Sequence, residues 1–187
     1  MALRHALLAT LLTVGESSGY DLAKEFTPER ATFWVASPQQ IYRELDGMEA
    51  AGLVSARVVV QERRPDKRML TITDAGLAEL EANARDGAKP VAIRDEMMVM
   101  VQSVAAADRV AVCTAVRDRL DASRRKLAHY ERLEAKYRAG RSDAALYADE
   151  RVAGPYLTLL RGLSFERENI AWSETVLRVL EREGDDA

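Results

Sequence analysis

Apolar residues recur at helical spacing from the start of the chain. Leu3, Leu7, Leu11 and Val14 predict a first helix over residues 3–14. Gly15-Glu16-Ser17 breaks the period. Ser18 suits the N-cap of a second helix, with Asp21 as its capping-box partner and Leu22, Ala23 and Phe26 turned inward. Pro28 ends that helix, and residues 27–36 read as a loop whose Phe33, Trp34 and Val35 fold back onto the core. The next helix has both ends written in its residues. Ser37 is the N-cap, Pro38 the first helical residue, Gln40 the capping-box partner and Gly52 the left-handed residue that closes it. Ile41, Leu45 and Met48 form its inward stripe, so Gln39, Gln40, Arg43 and Gly47 point outward.

After Gly52 the period changes from helix to strand. Val54, Ala56, Val58 and Val60 alternate with polar residues, predicting a half-buried strand with Val59 as the exception. A polar turn over residues 61–67 follows, and residues 68–73 return as a second strand. A further helix starts at Thr73 or Asp74 and runs to about Ala84. Gly87 and Pro90 mark a domain boundary, separating residues 1–85 from 91–187.

Beyond the boundary every segment reads as helix. Residues 91–105 are helical in composition. A long run from Asp108 carries Cys113, Val116, Leu120, Leu127, Tyr130 and Tyr137 on one seam, with Ser123 and Glu134 at its remaining positions. Ser142 suits a cap, and Gly154-Pro155 predicts a kink or restart. From Pro155 onward, Tyr156, Leu159, Leu163, Ile170, Leu177 and Leu180 line one seam, and Leu157, Leu160, Trp172, Val176 and Val179 a second. A helix apolar on two sides needs two partners, its own chain and a second subunit.

The fold class is therefore mainly α with a small β-hairpin wing: an N-terminal winged helix-turn-helix, then a C-terminal helical dimerisation domain. The 187 residues, 48% of them apolar, suffice for two small cores. No apolar run approaches the ~20 residues of a membrane span, no secretory signal opens the chain, and the single Cys113 suits a reducing cytoplasm. The net charge of −3 argues mildly against nucleic acid, but Arg57, Arg63, Arg64, Lys67 and Arg68 outnumber the acids around the hairpin. Taken alone, the polar helix is a capped surface helix and the basic tip a solvated turn. Together they point to DNA, since Gln and Arg at a helix N-terminus can pair with purine edges and a basic wing can neutralise phosphates.

Catalysis has little support. His5 and His129 are far apart, no paired Cys or His spacing is present, and Ser17 and Ser18 sit between helices rather than after a strand. No cofactor or metal is expected. Met97, Met98, Met100, Val101 and Trp172 suit either an ordinary core or an effector pocket.

Three segments carry a family resemblance: Gly19-Tyr20-Asp21-Leu22, Ser37 to Leu45, and Glu49-Ala50-Ala51-Gly52-Leu53-Val54. With Lys67-Arg68 leading into Leu70-Thr71-Ile72-Thr73-Asp74-Ala75-Gly76, they resemble PadR-type transcriptional regulators. The helical second half, with Ile170-Ala171-Trp172, is more loosely similar to the longer members. The resemblance implies a homodimer on double-stranded DNA, joined through its C-terminal helices and repressing until a small, often aromatic or phenolic, effector binds. Its groove-facing candidates are Ser37, Gln39, Gln40, Tyr42 and Arg43; its wing candidates are Arg63, Arg64, Lys67 and Arg68. Tyr42 suits DNA contact and packing equally. Leu159, Leu163, Ile170, Trp172 and Leu177 are the dimerisation candidates. Other readings are a regulator of the MarR type and a helical dimer that acts as a protein-interaction adaptor without DNA.

Overall fold

The computed structural model describes residues 2–60, 66–88 and 94–182, and its elements fall into two units, Met1–Pro90 and Val91–Ala187. The first unit contains α1 (Ala2–Val14), β1 (Ser17–Ser18), α2 (Gly19–Glu25), α3 (Pro38–Ala50), β2 (Val54–Val59), β3 (Lys67–Ile72) and α4 (Asp74–Asp86). Leu7, Leu8 and Leu11 of α1 meet Leu22 and Phe26, the Ile41–Leu45–Met48 stripe of α3, and Val54 and Leu70 of the sheet. Val14, expected on the α1 seam, is exposed because the helix ends there at Gly15, whose φ is +76°.

The sheet has three antiparallel strands in the order β1-β3-β2, where the sequence predicted a hairpin of two. Ser17 and Ser18 supply the extra strand by pairing with Leu70 and Met69. Two residues are too few to show a period of two, so pattern alone reads them as a turn. Ser18 also caps α2, accepting from the Asp21 amide at 3.1 Å.

Two expectations about burial fail. Phe33, Trp34 and Val35 are 56%, 38% and 54% exposed. Ala31 is the loop residue that enters the core, and the Ala36 amide closes the loop on the Phe26 carbonyl at 3.1 Å. With those small residues inside, the larger ones turn out. In β2, Val54 and Ala56 face the core, but Val58, and Val60 just past the strand, are 64% and 79% exposed. The strand runs past the helices there, so its alternation continues with nothing to cover it.

α3 has the predicted ends. The Ser37 hydroxyl accepts from the Gln40 amide at 3.2 Å, and the Gln40 side-chain oxygen accepts from the Ser37 amide at 2.9 Å. Gly52 follows at φ +71°, where a side chain would be strained. Thr73 joins this end of α3 to the start of α4. Its hydroxyl donates to the Gly52 carbonyl at 2.7 Å and accepts from the Gly76 amide at 3.2 Å.

The described elements of the second unit are all helices: α5 (Glu96–Gln102), α6 (Arg109–Arg138), α7 (Asp143–Ala148) and α8 (Glu150–Arg182). Residues 91–93 of the predicted helix over 91–105 lie outside the described residues, and α5 is the shorter helix found in its place. α6 and α8 are antiparallel, since Arg117 pairs with Glu181, Arg124 with Glu174 and Arg167 with Glu131. Between them lie two apolar clusters, one around Val116 and Leu120, the other around Tyr130 and Leu163. α8 neither stops nor restarts at Pro155. Pro155 is close enough to the helix start that its missing N–H removes one early bond and leaves the later turns intact.

Candidate nucleic-acid interface

The capped end of α3 brings Ser37, Gln39, Gln40, Tyr42 and Arg43 to one exposed end of the first unit. Their availability differs. Ser37 and Gln40 are tied to each other by the capping box, which uses the Gln40 oxygen as an acceptor and leaves its NH2 to donate outward. Gln39 and Arg43 make no side-chain hydrogen bond or ion pair among the described residues, so the carbonyl and NH2 of the Gln39 amide and the full guanidinium of Arg43 face solvent.

Tyr42 is held differently from either. Its ring lies over Gly19 at the start of α2, so close that a Cβ on Gly19 would stand 2.8 Å from Tyr42 Cε1. The side chain is still 44% exposed. Packing fixes the face of the ring while its edge stays open. The sequence showed Tyr42, but not the glycine beneath it.

The wing is more acidic in its surroundings than its sequence suggests. Arg63 and Arg64 lie outside the described residues. Arg57 forms a fork with Glu16, with Nη2 to Oε2 at 2.6 Å. Lys67 donates to Asp21 at 2.8 Å, and Arg68 to Asp46 at 3.2 Å and to Glu49. Lys67 and the Ser18 hydroxyl together hold the Asp21 carboxyl below the usual carboxylate range. The Arg57 guanidinium does the same for Glu16. The sequence showed Asp21 as a capping-box partner but paired none of these four acids with the wing. The available signal was the i, i+3 spacing of Asp46 and Glu49, which puts two carboxylates on one face of α3.

In the second unit, Leu159, Leu163 and Leu177 are buried against α6 of their own chain. They have no surface to offer a partner. Ile170 and Trp172 are half-buried against the same apolar cluster as Leu177, and Arg119 lies over the Trp172 ring at 5.7 Å. The large apolar residues of α8 that remain open are Leu157, Phe165 and Val179. The α6-facing seam is apolar as the spacing predicts, and Leu159, Leu163 and Leu177 on it are covered by their own chain. Of the methionine group, Met97 and Val101 pack on the core while Met98 and Met100 face outward. Burial pushes the Tyr130 phenol well up, with the charge of nearby Glu166 adding to it, so it stays neutral.

Among the described residues no helix is long and apolar enough to cross a membrane, and no cluster of three or more His, Cys, Asp or Glu side chains could hold a metal.

Comparison with known proteins covers both units. Residues 7–82 match the transcriptional regulator PadR-like family, and residues 93–181 match the family described as virulence activator alpha C-term. The chain is 29% identical to the negative transcriptional regulator PadR of Bacillus subtilis over 182 residues, 97% of this chain and 98% of that protein. The crystal structure of that PadR with operator DNA superposes with a TM-score of 0.70 at 30% identity, covering 96% of this chain and 99% of the other. Its complex with p-coumaric acid gives a TM-score of 0.64 at 29% identity, with coverages of 96% and 95%. The virulence activator AphA of Vibrio cholerae gives 0.69 at 31% identity over 97% of this chain and 99% of its own. The likeness thus runs through both units, and the chain belongs to the PadR-like family of transcriptional regulators.

Proposed function

We propose that this protein is a dimeric DNA-binding repressor, released from a palindromic operator by a small aromatic effector. The observation that carries the reading is the exposed N-terminal end of α3, where Gln39 and Arg43 are free of internal partners. Arg is suited to the O6 and N7 of guanine, and Gln to the N6 and N7 of adenine. Gln40 has its oxygen engaged by the capping box and offers chiefly its NH2, which favours acceptor edges. Ser37 shapes the start of the helix, and Tyr42 presents its edge beside it. Arg63 and Arg64 supply phosphate neutralisation from the wing. The B. subtilis relative solved with operator DNA supports the DNA reading, and its p-coumaric acid complex supports the effector.

The two units divide the work, residues 1–85 on DNA and residues 91–187 on assembly. The open residues Leu157, Phe165 and Val179 of α8 suit the second subunit better than the leucines already used against α6. No catalytic role is assigned to any residue, and the protein acts in the cytoplasm.

Selection from a pool of random duplexes tests this reading. A dimer enriches an inverted repeat with half-sites about one helical turn apart. Recovery of unenriched sequence, or of a single unrepeated site, contradicts it.

A further inference from the structure

All three described cations at the base of the wing hairpin are held by carboxylates of the helix-turn-helix body. Arg57 on β2 is bound by Glu16, just before β1. Lys67 on β3 is bound by Asp21 of α2, whose same Oδ2 also takes the Ser18 hydroxyl at 2.7 Å. Arg68 on β3 is bound by Asp46 and Glu49 of α3. Arg43, on the same surface helix, pairs with no acid among the described residues.

This pattern separates two jobs that a count of positive charges merges. A cation that neutralises a DNA phosphate must be free to leave its solvent shell for the phosphate. Lys67 would first have to give up a carboxylate that also supports the α2 cap. Arg68 would have to uncover Asp46 and Glu49 on the helix that enters the groove, placing bare negative charge beside the DNA backbone. Left in place, Arg68 cancels those charges and ties β3 to α3, while Lys67 ties β3 to α2.

From this geometry we infer that Lys67 and Arg68 are positioning residues. They brace the wing against both helices of the helix-turn-helix and shield the acids of α3, while phosphate contact falls to other cations. The inference rests on the DNA-binding reading, but the brace itself can be measured without DNA.

The test has two readouts on the full chain. Amide hydrogen exchange of β3, without DNA, is compared among the unmodified protein, Arg68→Gln and the double variant Asp46→Asn/Glu49→Gln. Both variants should exchange several-fold faster, because each opens the same brace from one side. Arg68→Lys, which keeps the charge, should recover part of the protection. Binding to a labelled mixed-sequence duplex is then followed across salt concentrations. Arg68→Gln should weaken binding with the slope of log affinity against log salt unchanged. A phosphate contact would instead reduce that slope by about 0.9. Unchanged exchange, or a slope reduced by that amount, overturns the inference. Absence of any binding by the unmodified protein at low salt overturns the DNA-binding reading itself, and the exchange data then report on the brace alone.

Discussion

Gly19 and Tyr42 touch across the start of α2 and the middle of α3, and the contact exists because residue 19 has no Cβ. An added methyl would lie 2.8 Å from Tyr42 Cε1 and 3.3 Å from Cδ1. The ring sits on the backbone of one helix while belonging to the helix that presents Gln39 and Arg43. Gly19→Ala should therefore push the ring outward, costing about 1–2 kcal/mol of stability and weakening DNA binding. Adding Tyr42→Ala should relieve most of the stability loss without restoring binding. A thermal unfolding series on the two single variants and the double checks the coupling, which must appear as non-additivity.

Gly76 is more tightly constrained. A Cβ there would collide with the Leu53 carbonyl and lie 2.8 Å from Ile72 Cγ1. The backbone carbonyl has little room to yield, because it already accepts the Thr73 amide at 3.1 Å. Gly76→Ala should destabilise by about 2–3 kcal/mol, even though alanine is the better helix former. Chemical denaturation measures this directly.

The capping box separates folding from recognition at one residue. Ser37→Ala removes the hydroxyl that accepts the Gln40 amide and should cost about 1 kcal/mol. Ser37→Asp keeps an acceptor at the N-cap and should retain near-normal stability. It also sets a negative charge at the end of α3 proposed to enter the groove, so its DNA affinity should fall well below that of the unmodified protein. Equal affinity for Ser37→Asp and the unmodified protein would place this end of α3 away from DNA.

The Lys67–Asp21 pair has a pH signature. The Asp21 carboxyl is held below its ordinary value, chiefly by Lys67 and then by Ser18. A carboxyl with a depressed folded-state pKa contributes stability above its unfolded value, near ~3.9, and loses it as pH falls through the folded value. Asp21→Asn should therefore lower stability at neutral pH and flatten the acid limb of the stability curve. Denaturation at a series of pH values between neutral and strongly acidic would show it. An acid limb identical to that of the unmodified protein would mean the pair contributes nothing.

Much of this molecule was legible in its sequence, for reasons that can be named. α3 announced itself because Ser37, Pro38, Gln40 and Gly52 each have a local conformational preference, and the observed caps follow them. The division of α6 and α8 into apolar seams followed from spacing alone. What stayed hidden depends on distance through space. The residues 17–18 strand exists only because β3 lies beside it. Phe33, Trp34 and Val35 are apolar but lost their places in the core to Ala31 and Ala36. The acids that occupy Lys67 and Arg68 are separated from them by as many as 46 residues. Sequence reading therefore counted Arg57, Lys67 and Arg68 as free positive charge where the fold pairs each of them with a carboxylate. The partner of each α8 seam was likewise invisible, since periodicity shows that a face is covered without showing by what.

The central claim is that α3 reads DNA, and Arg43 is its least encumbered residue. Fluorescence anisotropy should compare a duplex from the upstream region of the protein's own gene with a scrambled duplex of the same length, across salt concentrations. The account predicts tighter binding to the upstream duplex, a steep loss of affinity with rising salt, and loss of the preference in Arg43→Ala with residual salt-dependent binding to both. An Arg43→Ala variant that keeps the full preference, or an unmodified protein that binds neither duplex at low salt, would contradict it.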